Sequence, residues 1–355
     1  MPPEADAAQP RRHRARALDR RQGRIEMSHG SGGRAMMQLI DELFATAFAN
    51  PWLAQGNDQA AIELPAGRIV VSTDSYVISP LFFPGGDIGS LAIHGTINDV
   101  AMAGARPLYL AAGFILEEGL PLADLDRIVA SMAAAAKAAE VAIVTGDTKV
   151  VERGKGDGVF ITTTGVGVVP EGVMLSGDRA RPGDAILLSG TIGDHGVAVM
   201  SKRSGIGFDV AIESDSAALH GLVAEMVKAA PGLRCLRDPT RGGLATTLNE
   251  LCRQSSVGMR ISEAAIAIRP EVAAACEFLG LDPLYVANEG KLVAIVAEDE
   301  AERLLAAMHR HPLGAAAARI GTVNDDPHGF VVMETAFGGA RVVDWLAGEQ
   351  LPRIC

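Results

Sequence analysis

The sequence predicts an α+β protein made of two units of similar size, and three observations support this fold class. From Ile25 onward, short β-rich segments alternate with amphipathic segments of helical period. The pattern breaks near Pro170 and then resumes, which indicates a domain boundary there. No repeat of short period is present, and 355 residues are enough for two substantial cores. The predicted domains are therefore residues 25–170 and 171–340.

The elements of the first domain follow from hydrophobic period and turn residues. A Gly/Ser loop that starts at Ser28 leads into an amphipathic helix ending near Ala49. Residues 60–78 have the pattern of two β segments joined by a turn at Pro65, Ala66 and Gly67. The remaining predictions are helices over 86–107 and 122–140, and strands over 108–116, 141–147 (ending in a loop) and 160–169.

The second domain repeats the mixture of strands and helices and ends in a tail. The strands are predicted at 185–190, 256–261, 291–297 and 330–335, and the helices at 195–203, 214–230, 244–254, 270–280 and 299–311. Residues 341–355 follow a Gly-Gly pair and are expected to form a flexible tail that carries a terminal cysteine, Cys355.

The first 24 residues differ in composition from the rest. They hold seven arginines and three acids, a net charge of +4, so the remaining chain carries −15. Few large apolar residues are present to offset the entropy of ordering. We expect residues 1–24 to be a disordered arm.

Composition excludes several classes of function. A net charge of −11 disfavours nucleic acid as a partner, because nucleic acid binding needs basic surfaces. The longest apolar runs are far too short to span a membrane. The four cysteines (Cys235, Cys252, Cys276 and Cys355) show neither a CxxC pair nor metal-ligand spacing. We expect a cytoplasmic protein without a disulfide framework or a zinc site.

Four aspartates are candidate magnesium ligands: Asp58, Asp74, Asp99 and Asp147. Each stands where a strand or helix meets glycine or asparagine, and hard cations such as Mg²⁺ prefer carboxylate oxygens. Asp99 lies in an otherwise apolar helix, where an uncompensated carboxylate is costly. Taken singly, each aspartate could equally be a turn or cap residue.

Other polar residues suit phosphate chemistry. The glycine-rich entrance Ser28–Ala35 offers backbone N–H groups to an anion, although a flexible loop has the same pattern. Thr148 and Lys149 follow Asp147, and Lys149 could stabilise charge on a transferring phosphoryl group or be an ordinary surface lysine. Arg241 stands in a second glycine-rich helix entrance, DPTRGG. Glu289, in NEGK, is a candidate general base or a hairpin residue.

The order of these motifs resembles the HypE family of hydrogenase maturation proteins, in the AIR-synthase-like (PurM-like) superfamily. The segments are SHGSGG, NDQA, STDS, GGDIGSLAIHGTINDVAMAGARP, GDTKVV, DPTRGGLATTLNE, NEGKL and the terminal PRIC. The resemblance runs from Ile25 to Cys355. Related enzymes of the superfamily share the aspartates and glycine-rich segments but lack the terminal cysteine, so PRIC is the specific element.

The resemblance implies a two-domain PurM/AIR-synthase-like fold whose N-terminal domain forms a dimeric β-barrel interface. It implies that ATP and Mg²⁺ bind between the domains and drive dehydration of a carbamoyl group on Cys355, from thiocarboxamide to thiocyanate. The product would supply a CN ligand to the iron of [NiFe] hydrogenase. Expected partners are a HypF-like carbamoyltransferase, a HypC–HypD-like iron scaffold and a second copy of the chain.

Residue roles follow by carrying the motifs over. Cys355, Lys149 and Glu289 are the expected catalytic residues. The expected nucleotide-binding residues are Gly30, Ser31, Gly32, Gly33, Asp58, Asp74, Asn98, Asp99, Asp147, Thr148 and Arg241, with the four aspartates also binding the metal.

A terminal position suits a thiol that must visit a carbamoyl donor, an ATP cleft and an iron acceptor. Nine residues, 347–355, reach roughly 30 Å when extended. We expect Arg353 to offset the terminal carboxylate, which would otherwise raise the pKa of the thiol.

Two other functions fit less well. A selenophosphate synthetase would need a reactive cysteine near the first glycine-rich loop, where none is present, and a thiamine-monophosphate kinase is another possibility within the superfamily. A non-catalytic scaffold that delivers metal through Cys355 would favour further Cys or His in residues 332–354, where none follows His328.

Overall fold

The computed structural model describes residues 17–205, 211–348 and 353–355. Within these ranges the chain forms two α+β units, so the predicted fold class is confirmed. Residues 1–16 of the predicted arm and residues 349–352 of the predicted tail lie outside the described ranges.

The first unit is built on an open four-stranded sheet with the order β1-β6-β4-β5. Strand β1 (Arg68–Tyr76) pairs antiparallel with β6 (Val159–Val169), and β6 pairs antiparallel with β4 (Arg106–Glu117). Strand β4 runs parallel to β5 (Ala142–Val151). A parallel pair needs a crossover connection, which helix α4 (Leu122–Ala138) supplies.

Helix α3 (Ile88–Met102) joins the two units. It begins at Asp87, whose carboxylate accepts hydrogen bonds from the N–H groups of Gly89 and Ser90. The helix contacts β1 and β6 of its own sheet and also contacts elements of the second unit. Because it is covered on several sides, α3 is apolar around most of its circumference. The other elements of the first unit are α1 (Arg34–Leu39), a π-helical turn (Ile40–Phe44), α2 (Ala45–Ala47), β2 (Phe82–Phe83) and β3 (Gly86–Asp87).

The second unit is built on a seven-stranded sheet with the order β13-β12-β9-β11-β7-β10-β8. Its strands are β7 (Ala185–Leu188), β8 (Leu233–Arg237), β9 (Gly258–Ser262), β10 (Val293–Val296), β11 (Ala318–Asn324), β12 (Val331–Glu334) and β13 (Ala340–Val342). Its helices are α5 (Asp194–Ser204), α6 (His220–Ala229), α7 (Gly243–Ser255), α8 (Pro270–Leu279) and α9 (Ala301–Arg310). Helix α7 packs on one face, whereas α6 and α9 pack on the other. This explains why β7 and β10 are buried along their whole length.

Single 3₁₀ turns complete the described secondary structure, at Met27–Gly30, Leu53–Gln55, Glu263–Ala265, Pro283–Tyr285, Glu298–Glu300 and Pro312–Gly314.

Three predicted segments have a different structure. Residues 60–64 form no strand. Within the described chain β1 pairs with β6 alone, so no segment pairs with the other edge of β1. The segment Gly146–Lys149 belongs to β5 instead of a loop. Residues 214–219 have no regular secondary structure, and helix α6 begins only at His220. Hydrogen bonds to distant parts of the chain hold 214–219 in place.

Both ends of the described chain pack on the domains. Leu18 N–H donates to Glu42 at 2.8 Å, Arg20 pairs with Asp126 at 2.9 Å, and Ile25 is 1% exposed. The prediction of a disordered arm therefore does not hold for residues 17–24.

At the other end, Arg341 and Val342 lie in β13, and Val343 is buried, with its carbonyl accepting from Asn249 at 2.9 Å. The predicted tail therefore begins within the sheet.

One face of the four-stranded sheet is open. Alternate residues of β1 and β4 expose large apolar side chains: Ile69 is 59%, Val71 63% and Ile115 43% exposed. Exposed large apolar side chains on one face of a sheet indicate an interaction site. No helix in residues 17–205, 211–348 and 353–355 combines the length and apolarity needed to cross a membrane.

A chain that starts at Met27 is expected to be less stable than one that starts at Ala17. The shorter chain loses the buried Ile25 side chain, which contributes about 2 kcal/mol and lowers Tm by roughly 4–8 °C. Thermal unfolding of both chains measures this difference, and Ile25→Ala in the full chain is the matched control. Equal melting temperatures for the two truncated chains would contradict the assignment of residues 17–26 to the fold.

Candidate active site in the interdomain cleft

A cavity of about 630 Å³ lies between the two units. Strand β1 and helix α3 form one wall, and residues 236–241 with Glu289 form the other. Its lining holds five carboxyl groups (Asp74, Asp99, Asp238, Glu250 and Glu289) and two arginines (Arg237 and Arg241), together with the terminal Cys355. The excess of carboxyl groups over arginines makes this cleft suited to cationic groups.

Asp99 faces this cavity from helix α3, next to Asp74 on β1. Ser72 donates a hydrogen bond to Asp99 at 2.8 Å. Burial raises the pKa of Asp99 above its ordinary value, the hydrogen bond from Ser72 opposes this shift, and the charge of Asp74 adds to it. The positive charges of Arg237 and Arg241 oppose the shift, so the pair has two arginines near it.

Asp238 lies at the start of the DPTRGG turn, close to Asp99. Burial is the largest cause, and the charge of Asp99 the second, of a shift that raises the pKa of Asp238 to about 7. Sequence reasoning chose Arg241 from this motif and overlooked Asp238, because the burial of the turn cannot be seen in the sequence. A carboxyl group that titrates near neutrality can exchange protons at physiological pH.

Glu289 occupies the turn before β10 and is 3% exposed. Its Oε1 atom has no hydrogen-bond partner among the described residues. Burial is the largest cause, and the charge of Asp238 the second, of a shift that raises the pKa of Glu289 well above its ordinary range. An unpaired buried carboxyl group of this kind is typical of a functional site.

The chain terminus docks into the same cleft. The N–H of Val77 donates to the terminal carboxylate of Cys355 at 3.3 Å, and the N–H of Ser79 donates to the carbonyl of Arg353 at 3.4 Å. Arg203 also donates to Arg353 O at 2.6 Å. Ile354 is 3% exposed and belongs to the core of the first unit. These contacts hold the thiol in the cavity wall.

The docked thiol is protonated at rest. Burial raises the pKa of Cys355 far above its ordinary value, and the charge of Glu289 raises it further. Arg241 opposes this shift from the same wall. Arg353, which was predicted to fill this role, pairs with Asp157 at 3.0 Å instead. The other three cysteines are 0–1% exposed, so Cys355 is the accessible thiol of the described chain.

A second group of predicted residues lies along strand β5, away from this cleft. Asp147 pairs with Lys149 at 2.8 Å, and both side chains are more than 60% exposed. Asp58 O accepts from Thr145 at 3.4 Å, and a Cβ at Gly30 would collide with Val150. The other members are Ser31, Gly32 and Gly33, which are exposed, and Thr148, which is buried.

The sheet register explains this separation. Asp74 on β1 is opposite Thr163, which is opposite Ala112, which is opposite Gly146 on β5. Three strand spacings of about 4.8 Å place the two edges about 14 Å apart. Neighbouring residues of a strand point to opposite faces, so Asp147 points to the face opposite that of Asp74. The predicted quartet of aspartates therefore does not converge within one chain. Among the described residues no group of three or more His, Cys, Asp or Glu has metal-site geometry.

Asn98 is buried and makes structural contacts. Its amide nitrogen donates to Ala217 O at 3.0 Å, and its oxygen accepts from Leu219 N at 2.8 Å. The amide nitrogen also lies 3.4 Å from Glu289 O. Asn98 therefore fixes the second unit against α3.

The chain matches known proteins over nearly all of its length. The family profile described as AIR synthase related protein, N-terminal domain, matches residues 56–169, and the profile of the C-terminal domain matches residues 181–334. A carbamoyl dehydratase HypE of Azotobacter vinelandii is 74% identical over 338 residues, which cover 95% of this chain and 99% of that protein.

Two solved structures are also similar. The crystal structure of hydrogenase maturation protein HypE in complex with ATP has a TM-score of 0.90 at 54% identity, over 93% of this chain and 99% of that one. A chain of a HypE–HypF complex has a TM-score of 0.77 at 50% identity, over 87% of this chain and 99% of that one.

Asp238→Asn is expected to remove a pH dependence of stability. A carboxyl group with a raised pKa binds more protons in the folded state, so wild-type stability falls as pH rises from about 4 to about 7. Above pH 7 the variant should be more stable by about 1–2 kcal/mol, a value reduced for partial exposure. Denaturant unfolding at pH 5 and pH 8 measures this, with Asp58→Asn as an exposed control. Parallel pH profiles for wild type and Asp238→Asn would show that Asp238 does not carry the shift.

Proposed function

The chain belongs to the HypE family of hydrogenase maturation proteins, and from this premise we propose that it uses ATP to dehydrate a carbamoyl group carried on Cys355. The observation that carries the proposal is the docked terminus, because the thiol lines the same cavity as Glu289 and the Asp74–Asp99 pair. The ATP complex of a similar structure supports ATP as the energy source.

The reaction is the conversion of a thiocarboxamide to a thiocyanate. The amide oxygen attacks the γ-phosphorus of ATP, ADP leaves, and the nitrogen loses one proton. The second N–H proton is then removed while the C–O bond breaks, which releases phosphate and leaves S–C≡N. Phosphorylation is required because an amide oxygen is a poor leaving group. The sum is thiocarboxamide plus ATP giving thiocyanate, ADP and phosphate.

Glu289 and Arg241 are the residues of this chain best placed to assist. The raised pKa of Glu289 makes its carboxylate, once ionised, a strong acceptor for an N–H proton of the carbamoyl group. Arg241 lines the cavity beside the thiol and can bind phosphate oxygens. Asp238, with a pKa of about 7, can take the proton onward.

The residues of the cleft fit Mg²⁺, which the family implies. Mg²⁺ at phosphate-transfer sites is usually held by one or two carboxylates, with phosphate oxygens and waters as its other ligands. Asp74 and Asp99 supply two carboxylates, and the cation Arg241 approaches Asp74 only to 4.0 Å. When bound, the metal would neutralise phosphate charge.

A homodimer would explain why predicted site residues line the far edge of the sheet. The exposed Ile69, Val71 and Ile115 provide an apolar face for a second copy, and two open four-stranded sheets are what a shared barrel requires. A second copy could bring its Lys149 edge to the nucleotide bound at Asp99.

Partners follow from the chemistry of the carrier. A HypF-like carbamoyltransferase would load Cys355, and a HypC–HypD-like complex would accept the cyano group on iron. The HypE–HypF complex among the similar structures supports the first of these. Residues 349–355 span about 23–25 Å when extended, which lets the thiol leave the cleft.

Cys355→Ala is expected to abolish thiocyanate formation and to leave ATP binding largely intact, because the change removes only the carrier sulfur. Intact mass after incubation with carbamoyl donor and ATP should show loss of one water from carbamoylated wild type and no carbamoylated variant. Cys276→Ala, at a buried cysteine, is the matched control. Normal formation of the iron–cyanide unit by Cys355→Ala would refute the carrier.

Asp99→Asn and Lys149→Ala are each expected to abolish dehydration but to complement each other when co-expressed. If a site takes Asp99 from one protomer and Lys149 from its partner, about a quarter of the sites in a random mixture are intact. Phosphate release and the native mass of the mixture measure this, and Tm of Asp99→Asn should stay at or above wild type because a buried charge is removed. An inactive mixture would refute the shared site, and normal phosphate release by Asp99→Asn alone would remove Asp99 from the machinery.

A further inference from the structure

We propose that one segment without regular secondary structure, Ser214–Ala217, positions the two reacting groups against each other through two positioning residues, His195 and Asp215. This segment, called the strap below, reaches the terminus through His195 and the Glu289 turn through Asp215. The inference rests on the proposed function, since it assigns the alignment of Cys355 with Glu289 to residues outside the cavity lining.

His195 is the contact between the strap and the chain terminus. Its ring is fully buried, and its Nε2 lies 2.9 Å from the carbonyl oxygen of Ile354. A carbonyl oxygen can only accept, so Nε2 carries the proton. Nδ1 then accepts from the hydroxyl of Ser214 at 2.8 Å, while that hydroxyl oxygen accepts from Ser216 N at 3.1 Å. Ser214 therefore fixes the tautomer that holds the residue before Cys355.

Asp215 is the contact between the strap and the Glu289 turn. Its carboxylate accepts from the N–H groups of Glu289 at 3.1 Å and Gly290 at 3.2 Å, and it pairs with Lys291 at 3.0 Å. The side chains of this ion pair are 4% and 13% exposed. A Cβ at Gly290 would collide with the carbonyl oxygen of Asp215, so the turn fits the strap only as glycine. Charge-assisted hydrogen bonds of this kind fix the backbone of the turn that carries Glu289.

The strap is itself anchored to the first unit. Ser214 N–H donates to Pro84 O at 2.9 Å, and the hydroxyl of Ser216 lies 3.0 Å from His94 Nδ1 on helix α3. Ala217 O accepts from Asn98 on the same helix. Helix α3 also carries Asp99. The strap is therefore connected by hydrogen bonds to the elements that carry Asp99 and Glu289, and through His195 to the segment that carries Cys355.

The hydrogen bond from His195 Nε2 to the carbonyl oxygen of Ile354 sets the fraction of molecules in which the terminus is docked. The tail must leave the cleft to meet its partners, and each departure leaves the buried N–H of His195 without its acceptor. Loss of this donor should therefore favour the undocked tail by about 5-fold, the effect of an ordinary buried hydrogen bond.

Thiol chemistry reports docking directly, because the other three cysteines are buried. We would measure the rate at which a disulfide reagent, 5,5′-dithiobis(2-nitrobenzoate), modifies Cys355 in the full chain without ATP. His195→Leu, which keeps volume but removes the donor, should react about 5-fold faster than wild type. His195→Gln, whose amide nitrogen replaces Nε2, should react at nearly the wild-type rate. Equal rates for the Leu variant and wild type, or equally raised rates for both variants, would overturn the role of His195.

The contact between Asp215 and the Glu289 turn is tested by single-turnover dehydration. Cyanate carbamoylates Cys355 without a partner enzyme, and loss of one water is followed by mass after ATP addition. Asp215→Asn should slow this step at least 10-fold and leave ATP affinity and the thiol modification rate unchanged. The double variant Asp215→Asn with Lys291→Met, which leaves no buried unpaired cation, should show the same loss. A wild-type dehydration rate in the double variant would overturn the role of Asp215.

The two experiments separate this inference from the proposed function. If carbamoylated wild type does not lose water with ATP, the proposed function fails, whereas the modification rates of the His195 variants still decide the docking role. If wild type dehydrates and the variants match it in both assays, only the strap is refuted.

Discussion

The insertion of the chain terminus between the two units is the interaction on which the candidate site depends. Ile354 joins the core of the first unit, and backbone oxygens of the last three residues accept from Val77, Ser79, Arg203 and His195. Val77 and Ser79 lie directly after β1 in the first unit, whereas His195 and Arg203 lie on helix α5 in the second unit. Residues 353–355 therefore contact both units at the candidate site.

Docking has an electrostatic consequence for the thiol. The same burial that aligns Cys355 with Glu289 raises the pKa of the thiol, and that of Glu289 rises for the same reason. Arg241 opposes both shifts, because its positive charge lowers the pKa of the thiol and that of the Glu289 carboxyl.

The four-stranded sheet separates two sets of polar residues by its geometry. Alternation along a strand sends Asp74 toward the cleft and Asp147 to the open face, and three strand spacings lie between β1 and β5. Both sets contain residue types suited to binding phosphate groups. The exposed Ile69, Val71 and Ile115 lie on the same open face as Asp147, which supports the proposal that a second copy of the chain completes the site.

The sequence by itself determined the α+β class and the motifs, because strand and helix periods, glycine-rich turns and a terminal cysteine are local features. It also identified Asp99, since a carboxylate in an apolar helix is visible without coordinates. Only the tertiary structure decided that Arg241 and not Arg353 lies beside the thiol, that Asp238 titrates near neutrality, and that residues 214–217 lie outside helix α6. The physical reason is that burial and hydrogen bonding depend on partners far apart in the chain: Ser214 acts on Ile354 through His195, and Asp215 acts on Glu289. No local pattern in the sequence records these contacts.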